Sequence, residues 1–199
     1  MGLVCLSCGG RHMAGVRTRG PRAAGLHGIE LSGFFLLSFS RACVNLNAII
    51  GDEMEKLVQG VDPQNWLPAN SFLAALDLIA DRYPQFEPIL ERIGMEMMRL
   101  WYEFGPGRSI VKKAIDFLHF QTGSGGYASV VRGPAEGVGR FSLESIDPES
   151  GMAIVYSTTP FERAMERGIL LGGLQLAGDA IYVDIDNSKD ENRFLVTWR

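Results

Sequence analysis

Cys5 and Cys8 make a Cys-x-x-Cys pair with His12 close behind, the spacing of half a zinc site. A structural zinc ion takes four ligands and no second pair follows, so no metal is expected. The third cysteine, Cys43, leaves an odd count, with two of the three in a glycine-rich leader. That is no disulfide framework, and it fits a reducing cytoplasm. Asp184, Asp186, Asn187 and Asp190 resemble the start of a calcium loop. Such a loop needs glycine at its sixth position and glutamate at its twelfth; Lys189 and Leu195 stand there, so the segment reads as a solvated hairpin tip. Ser124-Gly125-Gly126 lacks the Lys-Ser/Thr of a P-loop and precedes a strand, where a phosphate cradle needs a helix N-terminus. It reads as a linker. Neither Gly-x-Ser-x-Gly nor His-Glu-x-x-His occurs. No residue set nominates a reaction, no catalytic residue is expected, and the chain reads as non-enzymatic.

What remains is binding chemistry. His119 lies at the margin of a helical apolar face, in Phe117-Leu118-His119-Phe120. Its ordinary reading is a boundary or satisfied core residue; the functional alternatives are an iron ligand or a polar group in a pocket. Trp101, Tyr127 and Tyr156 are apolar bodies with polar handles, and read as core aromatics ahead of a binding cage.

The elements that must carry these residues change character midway. Asp52 to Val61 reads as a short amphipathic helix. Asn70 or Ser71 caps a helix with Phe72, Leu73, Leu76, Ile79, Ala80 and Tyr83 inward, and Pro84 ends it. A second runs from about Glu87 to Phe104 with Ile93, Met97 and Trp101 at helical spacing, stopped by Gly105-Pro106-Gly107. A third starts near Ser109. Beyond Gly126 the period becomes that of strands: Tyr127 to Arg132, Arg140 to Ile146, and Met152 to Ser157, the last apolar on both faces and therefore central. Pro160 opens a helix on which Ala164, Gly168 and Gly172 recur every four residues, a smooth edge for close approach to the sheet or another helix. Leu170, Leu171 and Leu174 lie off its main apolar arc, so either the helical half of the chain or a second subunit must cover them. Ile181 to Ile185 and Phe194 to Trp198 alternate as an antiparallel hairpin. The fold class is α+β, N-terminal helices followed by an antiparallel sheet in βββαββ order.

At 199 residues and 46% hydrophobic, the chain suffices for one domain. Residues 1–27 are glycine-rich without apolar period and read as a disordered leader or a mis-assigned start, ahead of a single domain over 28–199. The net charge is -4, yet Arg11, Arg17, Arg19 and Arg22 meet no acid within residues 1–28, leaving the remainder near -8. An acidic body excludes nucleic acid as the main partner. Ile29 to Phe39 is too short for a membrane span, which takes about 20 apolar residues. Arg41 then stands where a signal-peptide cleavage site wants small neutral residues. The run reads as a buried element of a cytoplasmic protein.

Val155-Tyr156-Ser157 leading into Phe161-Glu162-Arg163-Ala164, then the run from Glu166 to Leu174, then Arg193 to Trp198, together resemble one superfamily of ligand-binding domains. It is shared by bacterial 4-vinyl reductase domains, haem nitric-oxide-binding domains and the TRAPP vesicle-tethering subunits. In layout the chain is most similar to a myxobacterial paralogous group of unknown function, on Trp66-Leu67-Pro68 and Ser71-Phe72-Leu73 ahead of Ile93-Gly94. The resemblance implies a sensory domain that encloses a small apolar ligand between helices and sheet and signals to a partner protein. The alternative it implies is a homodimeric interaction scaffold without ligand. The pocket it implies is formed by Trp101, His119, Tyr156, Phe161, Met165 and Ile169. A haem-binding member would carry Tyr-x-Ser-x-Arg to hold the propionates; from Tyr156 onward this chain has Thr158 for the serine and Pro160 for the arginine. Cysteines of the 4-vinyl reductase type are missing too, with Cys43 alone in the domain. No cofactor is therefore expected, and a haem gas sensor with His119 on iron is the lesser alternative.

Overall fold

The computed structural model describes Leu26, residues 28–49 and residues 51–199. The Cys5, Cys8 and His12 group lies outside them. The apolar run beginning at Ile29 divides into β1 (Glu30–Ser32) and α1 (Gly33–Asn45), because Ser32 stays extended and its hydroxyl oxygen accepts the Phe35 N–H at 3.2 Å. Phe35, Leu36, Phe39, Ala42 and Cys43 of α1 are buried. α2 (Gly51–Val58) adds Met54 to the core, and β2 (Trp66–Pro68) returns antiparallel to β1. α3 (Asn70–Arg82) starts after Ala69 with no side-chain cap, where Asn70 or Ser71 was expected to provide one. The start is set instead by strand pairing, since the Ala69 N–H donates to the Ile29 carbonyl at 3.1 Å. At the other end Tyr83 is extended, as a following proline demands.

α4 (Glu87–Phe104) is followed by the single turn α5 (Gly107–Ile110) and by α6 (Ala114–Thr122). The strand expected over Tyr127 to Arg132 is mostly a 3₁₀ turn, Tyr127–Ser129, held by the Ser129 hydroxyl on the Gly125 and Gly126 carbonyls at 2.7 Å. Only β3 (Val131–Arg132) is extended, and it pairs with β1 in a small sheet of order β2-β1-β3. After α7 (Ala135–Val138) come β4 (Phe141–Asp147), β5 (Met152–Ser157), α8 (Arg163–Leu176), β6 (Val183–Asp186) and β7 (Arg193–Trp198). Their strands form an antiparallel sheet of order β4-β5-β7-β6, with β5 inside it as the sequence implied. The class is α+β, with the main sheet contributing ββαββ and β3 given to its neighbour.

α8 begins three residues after Pro160, because the intervening loop bonds to its own hydroxyls: Thr159 N–H donates to Ser157 Oγ at 3.4 Å and Phe161 N–H to Thr159 Oγ1 at 3.3 Å. Its smooth edge faces α4. A Cβ on Gly168 would overlap the Glu91 carbonyl, and one on Gly94 would overlap the Met165 carbonyl, so the two backbones touch where neither has a side chain. Of the three leucines expected to need cover, Leu170 and Leu174 are fully buried and Leu171 is half-buried, with α4 and α6 both packed on α8. The inner face of the sheet buries Val155, Phe194 and Val196 into the same core. Among the described residues no helix is long and apolar enough to cross a membrane.

Candidate functional site

α1, α4, α6 and α8 converge on an apolar cavity of about 120 Å³. α1 supplies Phe35, α4 supplies Met97 and Trp101, α6 supplies Phe120, and α8 supplies Ile169. Phe161 enters from the loop between β5 and α8, and Tyr127 from the 3₁₀ turn. The aromatic rings fix one another. Trp101 stacks on Phe120 at 4.8 Å, and Phe161 meets Phe35, Phe72 and Tyr127 with centroids 5.3, 5.5 and 5.9 Å away. Gly125 and Gly126 close the wall: a Cβ on Gly125 would lie 2.6 Å from the Phe120 ring, and one on Gly126 would overlap the Gln121 backbone. The segment that reads as a linker is thus a fitted piece of the site.

Of the six residues expected in a pocket, Trp101, Phe161 and Ile169 stand together on this wall. Met165 is buried in the core but not on the wall. Tyr156 lies on the opposite face of the sheet, under the Arg193 guanidinium at 5.3 Å, because it alternates with the inward Val155 and Ser157. His119 is exposed, and its neighbours Leu118 and Phe120 take the inward positions of α6. It is the only histidine among the described residues, and no described histidine lines the cavity. Phe34, Phe35, Met97 and Phe120 also stand on the wall; the Phe34-Phe35 pair and the inward Met97 were visible in sequence as apolar positions, with nothing to mark them as cavity rather than core.

Beneath Phe161 lies a buried polar network. Arg163 and Glu166 pair directly. Ser157 and Thr159 hydroxyls donate to Glu166 Oε1 at 2.8 and 2.5 Å. Arg163 Nη2 donates to the Ser157 carbonyl at 2.9 Å and to Asn192 Oδ1 at 3.2 Å, and Nη1 reaches the Phe161 carbonyl at 3.4 Å. Burial pushes the Glu166 carboxyl above its ordinary value, against the pull of Arg163, Thr159 and Ser157. Burial, with Glu166 nearby, also pushes the Tyr127 phenol well up, and its hydroxyl donates to the Val138 carbonyl. The network holds the loop that aims Phe161 into the cavity. Among the described residues no group of three His, Cys, Asp or Glu could hold a metal ion.

No protein-family model matches the chain, and no curated protein does. Solved structures do. An oxygen-binding H-NOX domain related to soluble guanylate cyclases, in its oxygen complex, matches with a TM-score of 0.59 at 9% identity, over 85% of this chain and 95% of that one. The F78L Tt H-NOX matches at 0.58 and 10% identity, over 85% and 95%. A structure reported under the heading of modulating haem redox potential through protein-induced porphyrin distortion matches at 0.59 and 10% identity, over 85% and 99%. At such identities the likeness is one of fold: this chain has an H-NOX-like α+β fold.

Proposed function

We propose that this chain is a sensory domain that binds a small, uncharged, apolar molecule in the cavity between α1, α4, α6 and α8, and catalyses nothing. The observation that carries the reading is the aromatic lining around about 120 Å³. That is below the ~300–1,000 Å³ of sites for drug-sized ligands. It is close in volume to the about 150 Å³ of an engineered apolar cavity that takes benzene or xenon, and it opens to solvent past Phe34, which is 44% exposed. A monocyclic or bicyclic hydrocarbon or a gas is the class of ligand that fits. Crystals of the full chain pressurised with xenon, and thermal unfolding with benzene or indole, test it. Xenon should occupy the site, and benzene should raise the unfolding temperature of the wild type but not of Ile169→Phe, which fills the space. A cavity without xenon, or equal stabilisation of the variant, refutes the reading.

Haem sensing is the second reading, favoured by the oxygen-binding structural neighbours. The residues present do not fit it. His119 is exposed, Pro160 stands where the arginine of the propionate motif is expected, and the nearby Arg163 is already neutralised by Glu166. Tyr127 could serve iron only as a phenolate, which its burial opposes. These departures support a haem-free member of the superfamily. Expression with added haem separates the readings: a Soret band that His119→Ala removes would establish haem.

A further inference from the structure

We propose that the outer face of the four-stranded sheet is a docking surface for a partner protein that presents basic residues around an apolar patch. An antiparallel sheet covered on one side ordinarily turns polar residues to water on the other. Here the register sets Met152 and Ile154 of β5 beside Thr197 and Leu195 of β7 on the side opposite Val155, Phe194 and Val196. Met152 is 41% and Leu195 37% exposed, so no helix covers them. The flanking strands give this strip an acidic rim: Asp147 of β4 lies beside Met152, Asp186 of β6 beside Leu195, and Asp184 beside Thr197. Arg193 is the only basic residue in the four strands, and Glu144 and Asp190 already hold it at 2.7 and 2.6 Å. Hydrogen bonds from Ser150 and Ser188 keep the Asp147 and Asp186 carboxyls below their ordinary range, so the rim is charged at neutral pH.

The edges of the sheet offer less. β6 has four residues and β4 is broken by a register shift between Leu143 and Ser145, both devices that discourage strand addition. A second copy of the chain is disfavoured as well. Two-fold pairing of this face would set the acidic edge strands of one copy against those of the other, a like-charge arrangement that costs affinity. Complementarity asks for the opposite charge around an apolar centre.

The full chain is tested against immobilised peptides in which apolar residues are flanked by lysine or arginine, and against a matched set carrying glutamate instead. Saturable, salt-sensitive binding to the basic set alone is expected. Leu195→Lys, and Asp184→Lys combined with Asp186→Lys, should each weaken it about tenfold or more, about 1.4 kcal/mol. Asp52→Lys with Glu55→Lys, an equal charge change on exposed positions of α2, should not. All three variants alter surface positions, and unfolding temperatures near that of the wild type verify that they fold. The proposal is overturned when the α2 variant loses as much as the sheet variants, when the glutamate set binds equally, or when native mass spectrometry shows a dimer that Leu195→Lys dissociates.

Discussion

Arg163→Met isolates what the buried network contributes. Arg163 and Glu166 are 8% and 3% exposed, so the substitution keeps the apolar stem and leaves a buried carboxylate without its cation. Breaking such a pair costs about 3–5 kcal/mol. The Ser157 and Thr159 hydroxyls still donate to Glu166, which places the cost at the lower end. About 3 kcal/mol corresponds to roughly 6–12 °C in unfolding temperature for a chain of this size. Adding Glu166→Leu should return stability to within about 1 kcal/mol of the wild type or beyond, because a packed apolar pair needs no desolvated charge. The pH dependence has a definite sign. A carboxyl whose folded pKa is raised holds its proton more tightly in the native state, so stability is fullest below the unfolded value of 4.5 and is lost as the pH rises through the folded one. Removing Arg163 raises the folded value further, so the deficit of Arg163→Met should be smallest in acid and grow as the pH rises. Calorimetry of wild type, single and double variants from acid to neutral pH measures both effects. A deficit that does not change with pH, or a double variant no more stable than the single, refutes the reasoning.

Gly168→Ala would gain about 1 kcal/mol in an exposed helix, but its Cβ overlaps the Glu91 carbonyl, and overpacking of about 1–3 kcal/mol against backbone should win. Gly51→Ala, with open space around it, should be neutral or stabilising; urea titration compares them. A hydrogen bond from Arg99 holds the Glu96 carboxyl below its ordinary value, adding stability above the unfolded 4.5 that is lost as the pH falls through the folded value. Arg99→Met should therefore lose less stability on acidification than the wild type. Burial pushes the Cys43 thiol far up, and it is fully buried, so a thiol reagent should modify it only at the rate of unfolding.

Periodicity located the long helices and the C-terminal hairpin because most of their apolar residues face one core, the condition under which spacing and burial agree; it failed at Ile181, which was expected in the hairpin but precedes β6 and is 99% exposed. Met97, Trp101, Phe161 and Ile169 were legible as inward for that reason. The same signal is silent on where a core leaves a gap, so Phe35 and Phe120 could not be told apart from ordinary core. Tyr156 was misplaced because a central strand apolar on both faces does not say which face meets the helices, and here the face of Ala153, Val155 and Ser157 does. The small sheet escaped notice since β1, β2 and β3 have two or three residues each, too few for any alternation to show. The glycine spacing on α8 did announce a close approach, and only long-range geometry could choose α4 over the sheet.

The cavity and the outer sheet face are joined by a short series of bonded groups. Phe161 lines the cavity; Arg163 reaches its carbonyl and Asn192 Oδ1; the Asn192 carbonyl accepts the Ser157 N–H of β5 at 2.8 Å; and Arg193, next in sequence, lies over Tyr156 on the outer face. Contiguity alone transmits nothing: a ligand shifts this loop only by as much as it binds one arrangement better than another. Linkage then makes a strict demand. If benzene in the cavity changes the affinity of the basic peptide for the sheet face by some factor, the peptide must change benzene affinity by the same factor. Titrating each in the presence of the other measures both, and Phe161→Leu, which keeps an apolar wall but removes the ring that the loop aims, should reduce the factor towards one. Unequal factors would break the cycle and expose binding elsewhere, and a factor of one in the wild type would make the two surfaces independent.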